Sequence, residues 1–229
     1  MQEELVCVNC GAKASKLYIQ YEKDVIKLTT CDKCKQITDK YVEYDRVLIF
    51  IDLILQYLQA YRHLFKNVTY ESYWRVIIVF TMFSAYQKWT HERSSLPDLK
   101  LVYELEWQFY KSLLESASEI VVYSIVVLLL TQAFGHKIPN TKKFLCTTMC
   151  GFYGNFLMVF TIIWNLHDQL PFVLAIQAFL IISHIQVQRV LCPKRGSFLA
   201  FVTVLIATIV QWQSGIISKQ VIQHFTSSF

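Results

Sequence analysis

Proline and glycine are scarce in this chain, 4 and 6 among 229 residues, so punctuation is confined to a few loops. Charge is thin as well. Charged residues make up 17%, against about 25% in a typical soluble domain, and they crowd into the first half. The net charge of +5 comes from 22 basic and 17 acidic residues with no long basic run, so nucleic acid is not an expected partner. No internal repeat or low-complexity tract is present. The opening Met1-Gln2-Glu3-Glu4 lacks the basic start and apolar run of a secretory signal, so targeting is expected from a later hydrophobic segment. No nucleophile motif, phosphate loop or carboxylate-rich metal motif accompanies Glu104, Glu106, Glu115, Glu119 and His136. These residues read as solvated or interfacial, and the chain is not expected to be an enzyme.

What is present is apolar. Hydrophobic residues reach 54% and the mean hydropathy is +0.35, which places the second half against lipid rather than water. Three uncharged runs, Phe144 to Leu166, Gln169 to Gln188 and Gly196 to Ser218, are long enough to cross a hydrocarbon core, which needs about 20 residues. A fourth, Ser112 to Phe134, has Glu115 and Glu119 in its first two turns and is expected to span with that start at the interface or against protein. Two earlier segments are ambiguous: Val47 to Phe65 contains Asp52 and Arg62, and Arg75 to Lys88 is short between its charges. Along the first, Asp52, Gln56, Gln59 and His63 form one polar stripe, which suits an interfacial helix or one facing polar partners.

Loop charges give an orientation. Lys137, Lys142 and Lys143 precede one span and Arg189, Lys194 and Arg195 follow the next, whereas the His167-Asp168 loop between them has no Lys or Arg. The positive-inside rule makes the two basic loops cytosolic. With a cytosolic N-terminal domain, one of the two ambiguous segments crosses and the other does not.

The first 45 residues are polar and hold four of the seven cysteines. Cys7-Val8-Asn9-Cys10-Gly11 is followed, twenty residues later, by Cys31-Asp32-Lys33-Cys34. A Cys-x-x-Cys turn points two thiolates at one ion, and a second turn alongside completes a tetrahedral four-thiolate shell. Leu17, Ile19 and Tyr21, a turn at Glu22-Lys23-Asp24, then Val25, Ile26 and Leu28 predict a β-hairpin between the two knuckles. Cys7, Cys10, Cys31 and Cys34 are therefore the expected ligands of a structural Zn2+, with no open position for catalysis. Two disulfides in a lumenal domain are the alternative. Cys146 and Cys150 read as buried small residues. Thr147, Gly151 and Asn155 form a small-residue row along which another helix can approach. The Asn67-Val68-Thr69 sequon lies too close to membrane segments to be used.

The expected fold is thus a small N-terminal β zinc ribbon followed by an all-α multi-spanning membrane domain. The expected parts are a ribbon over 1–45, amphipathic and short apolar helices over 46–111, transmembrane helices over 112–218, and a tail over 219–229. The paired CxxC, the block Asp39-Lys40-Tyr41-Val42-Glu43-Tyr44-Asp45, and Ala60-Tyr61-Arg62-His63-Leu64-Phe65 before Asn67 together resemble the homology domain of the Arv family. The resemblance covers roughly the first 67 residues tightly. It implies an endoplasmic-reticulum membrane protein needed for sterol distribution, sphingolipid balance and early glycosylphosphatidylinositol anchor synthesis. Its implied partners are membrane lipids (sterols, sphingolipids or anchor precursors) or, alternatively, the membrane subunits of the transferase that initiates anchor synthesis.

Overall fold

A computed structural model describes residues 5–22, 25–68, 73–95, 102–136, 138, 140–166, 169–193 and 196–227. The chain forms two compact units, one of Met1–Glu71 with Arg189–Lys194 and the other of Ser72–Gln188 with Arg195–Phe229.

In the first unit β1 (Tyr18–Glu22) pairs antiparallel with β2 (Val25–Leu28), with Tyr18 opposite Leu28 and Gln20 opposite Ile26. This is the predicted hairpin; Lys23 and Asp24 of its expected turn lie outside the described residues. Short bridges Val6 to Lys13 and Thr30 to Ile37 flank it. The chain then enters α1 (Arg46–Ile54), breaks, and continues as α2 (Leu58–Arg62) into a π-turn at His63–Asn67. The break falls at Gln56, whose φ of 61° lies in the left-handed region that ends a right-handed helix. The ambiguous Val47 to Phe65 segment is therefore not one rod. Its nine-residue α1 is only about 14 Å long, too short for a hydrocarbon core of about 30 Å.

The second unit is helical: α3 (Tyr73–Ser95), α4 (Val102–Ala133), α5 (Thr141–Cys150), α6 (Leu157–Ile163), α7 (Leu170–Leu191) and α8 (Ser197–Ser227). Asn140 starts α5 by accepting the Lys143 N–H at 3.0 Å, a side-chain N-cap. Four stretches are long and apolar enough to cross a membrane: Tyr103–Ala133, Thr141–Ile163, Leu170–Leu191 and Ser197–Ile222. They coincide with the four runs expected to span, so the protein is a multi-pass membrane protein. The second of these is not uniform, because Gly151–Phe156 tightens to a 3-10 helix between α5 and α6.

Helix α4 is the spine, packing along both α3 and α8. It buries Ile120, Tyr123 and Val127, while α8 buries Ala200, Val204 and Ala207 at helical spacing. Small residues on α8 let the backbones approach, as membrane helices require where dispersion and not water drives association. Glu115 and Glu119 on α4 face protein. Lys88 of α3 donates to both, at 2.8 and 2.6 Å.

Candidate metal centre

The four predicted ligands converge. Their sulfurs all lie within 4.8 Å of one another, with Cys7 Sγ 3.7 Å from Cys34 Sγ and Cys10 Sγ 3.7 Å from Cys31 Sγ. A disulfide requires about 2.05 Å, and all four are free thiols. A tetrahedral ion with sulfur bonds of about 2.3 Å separates its ligands by about 3.8 Å. The observed spacing fits that shell. Among the described residues this is the one cluster of His, Cys, Asp or Glu side chains close enough to hold a metal ion. Cys146 and Cys150 do not form such a cluster.

The two halves of the site repeat one another. The Gly11 N–H donates to the Cys7 carbonyl at 2.8 Å and the Lys35 N–H to the Cys31 carbonyl at 2.9 Å. The Cys7 N–H reaches Ala12 O and the Cys31 N–H reaches Gln36 O, both at 2.8 Å. Gly11 and Lys35 occupy the same place in their knuckles, with φ of 73° and 57°. Glycine adopts that conformation without steric penalty and lysine does not.

Backbone donors aim at the first sulfur of each knuckle. N–H groups of Cys34 and Lys33 hold the Cys31 thiol down at about 7. Burial outweighs the matching donors from Cys10 and Asn9 and pushes the Cys7 thiol up to about 12. A cation is what the second thiol lacks to ionise, so the donor set suits a divalent metal.

Sequence reasoning singled out several of the groups that hold this site in place but gave them no role in it. Arg62 on α2 donates through Nη1 to the carbonyls of Val8 and Asn9, at 2.8 and 2.6 Å, gripping the first knuckle from outside. A Cβ on Gly11 would sit 3.5 Å from that guanidinium, an ordinary contact, so the glycine answers to its positive φ and not to the arginine. Burial, followed by the charge of Arg189, lowers the Arg62 pKa. Gln59 donates to Asn9 Oδ1 at 2.8 Å.

Beneath lies Asp39, fully buried. Its Oδ1 accepts the Tyr41 N–H at 3.0 Å, and its Oδ2 meets His63 Nδ1 at 2.8 Å and the Asn67 amide at 2.6 Å. The same Asn67 side chain pairs with the Val6 backbone in both directions, at 2.9 Å each. Tyr41 donates its hydroxyl to Asp52 at 2.8 Å; burial first, and then Asp52, raises its pKa.

The polar stripe of Asp52, Gln59 and His63 thus faces the ribbon. Gln56, at the break, accepts from the Tyr61 hydroxyl at 2.6 Å. The one signal that pointed this way was the stripe itself; nothing local marked Tyr41, Asn9 or Asp39 as its partners. The sequon asparagine is consumed as a structural amide.

A family model described as the Arv1-like family matches residues 6–187. The chain is 31% identical over 211 residues to human "Protein ARV1", covering 87% of this chain and 78% of the relative. It is 31% identical over 193 residues to the mouse protein of that name, covering 80% and 72%. A shorter stretch of 66 residues is 46% identical to "Protein ARV1" of Candida albicans, covering 28% and 22%. No solved structure matches.

Proposed function

The chain belongs to the Arv1-like family, and from that premise we propose that it is a non-enzymatic lipid-homeostasis factor of the endoplasmic-reticulum membrane. In this reading it governs intracellular sterol distribution, with effects on sphingolipid metabolism and on glycosylphosphatidylinositol anchor synthesis. The four thiolates hold Zn2+ as a closed structural site, since four protein ligands leave no position for a substrate or water.

The observation that carries the lipid reading is the outer face of α1. Val47, Leu48, Ile51 and Leu55 recur at helical spacing and are exposed, with Phe50 beside them, while Asp52 on the other side is tied to Tyr41. A helix with its polar side on a rigid domain and its apolar side bare suits the interface of a bilayer. The metal fixes the ribbon, the ribbon fixes α2 through Arg62, and the short helices present that face.

Orientation has its own support. The Arg189–Lys194 segment groups with the ribbon unit, and its basic residues favour the cytosolic side. A cytosolic ribbon then requires one crossing before α4. The 23 residues of α3 span about 34 Å, enough for that crossing, and α1 and α2 do not.

The test is co-purification from membranes in mild detergent, with lipids and proteins identified in one sample beside a Cys31→Ser control. A lipid enriched with the wild type and lost in the control supports the reading. Stoichiometric transferase subunits without enriched lipid would replace it with an accessory-subunit role.

A further inference from the structure

Between α3 and α4 lies an open pocket of about 330 Å3, lined by Tyr86, Trp89, Leu105, Glu106, Phe109 and Tyr110. Small-ligand sites begin at roughly 300 Å3. Four of these side chains are aromatic, one is a carboxylate and none is basic, so the lining favours a cation.

The rings are held in place. Trp89 Nε1 donates to the Leu105 carbonyl at 3.1 Å, which fixes the indole of α3 against α4. Phe109 stands nearly perpendicular to it, at 87° and 6.3 Å between centroids, and Tyr86 lies 5.6 Å away. Tyr110 follows at 6.3 Å from Phe109. An indole that only marks a membrane surface keeps its N–H for the wet side; this one uses it to hold a wall. The same ring already attracts a cation, because the Arg93 guanidinium lies 5.4 Å from its centroid without lining the pocket.

Leu105, Glu106, Phe109 and Tyr110 fall in the first turns of the candidate span Tyr103–Ala133. Charged residues flank them, Glu92 and Arg93 on α3 and Glu104 and Lys111 on α4. That end of the two helices suits the level of the lipid head groups, where aromatic side chains gather.

We propose that this pocket holds the trimethylammonium group of a choline phospholipid from the surrounding bilayer. Aromatic rings attract a cation through their quadrupole and suit a quaternary ammonium in particular, whose methyl groups also make apolar contact. Glu106 is exposed and makes no ion pair among the described residues, so its charge is left for an occupant. A primary ammonium brings three N–H donors that rings satisfy poorly. A hard metal ion takes about six or more oxygen ligands, which one carboxylate and two phenols do not supply. An anion would meet Glu106 and no basic side chain. The site needs only the membrane spans, so it goes beyond the sterol-distribution role proposed above and stands or falls apart from it.

The test equilibrates the full chain, in mild detergent, with an equimolar mixture of dioleoyl phosphatidylcholine and dioleoyl phosphatidylethanolamine and counts retained lipids by native mass spectrometry. The two lipids share tails and phosphate and differ in the methyl groups on nitrogen. The choline lipid should be retained roughly fivefold over the ethanolamine lipid, with the singly and doubly methylated lipids between them. Tyr110→Leu should remove that preference, and Glu106→Gln should cut choline-lipid retention roughly fivefold. Both side chains are exposed, so neither change disturbs the helix contact that Trp89 makes. Equal retention of the two lipids by the wild type, or retention unchanged in either variant, overturns the proposal. Retention of neither lipid, with saturable binding of a trimethyllysine peptide, overturns it too and gives the pocket to a protein tail.

Discussion

In the ribbon unit Asp39 is fully buried and meets Tyr41, His63 and Asn67; in the membrane unit His184 is buried almost as deeply, and its Nε2 has no hydrogen-bond partner among the described residues. Both units remove polar groups from water, which is unfavourable unless each finds a hydrogen bond. Where every group is paired, the network specifies a shape. Where one is left over, aromatic rings on both sides hold it in place instead. Polar burial in the first unit is met by pairing, and in the second, at His184, by ring packing.

The largest effect that would break this contrast is on the metal. Cys31→Ser leaves three thiolates, and because ion binding supplies about 10 to 16 kcal/mol to small zinc domains, the ribbon should lose metal and unfold while α4 to α8 keep their helicity. Metal content by mass spectrometry and limited proteolysis read the two units separately; retained metal with an intact ribbon would contradict the assignment.

Next, Asp39→Ala strands His63, Asn67 and the Tyr41 N–H together. Unpaired buried groups cost about 1 to 3 kcal/mol each, so a loss of about 3 kcal/mol in ribbon stability is expected by denaturant melting. A loss under about 1 kcal/mol would show that the network contributes little.

In the membrane unit, Gly151→Ala should weaken helix packing by about 2 kcal/mol, since its Cβ meets the His184 ring at 2.6 Å. Hydrogen exchange should then rise on α5 and α7 and remain unchanged on the ribbon. A rise on the ribbon instead would mean the units are not separately stabilised.

The smallest test uses the repeat inside the ribbon. Gly11→Ala should cost about 1 kcal/mol at its positive φ, and Lys35→Gly at the matching position should gain a few tenths to about 1 kcal/mol. Equal and opposite shifts in thermal melting would support the equivalence of the knuckles; shifts of one sign would refute it.

The sequence made some of this legible and left the rest hidden, for a physical reason. The four cysteines, the hairpin and the four long apolar helices depend on local spacing and hydropathy, which any window of the chain displays. The acids Glu115 and Glu119 were visible as residues needing protein, but Lys88, 27 and 31 positions away, was not. Likewise the polar stripe was plain, while its partners Asn9 and Asp39 lie 50 and 24 residues from Gln59 and His63. The helix break at Gln56 carries neither Gly nor Pro. It answers to the hydrogen bond with Tyr61, not to propensity. The polar cavity lined by Lys88, Glu119, Asn155, Gln177 and Gln211 in the helical unit has no linear signature, because its lining comes from separate helices that meet only after packing.

The Asn67 amide, joined to Val6 and Asp39, also has a consequence for the order of events during synthesis. Apart from Arg189–Lys194, every segment of the ribbon unit is synthesised before α3 begins at Tyr73. Domains close from the N-terminal end as they emerge, so the knuckles and their latch can form before the four candidate spans are complete. The nascent chain needs its metal first and its bilayer afterwards.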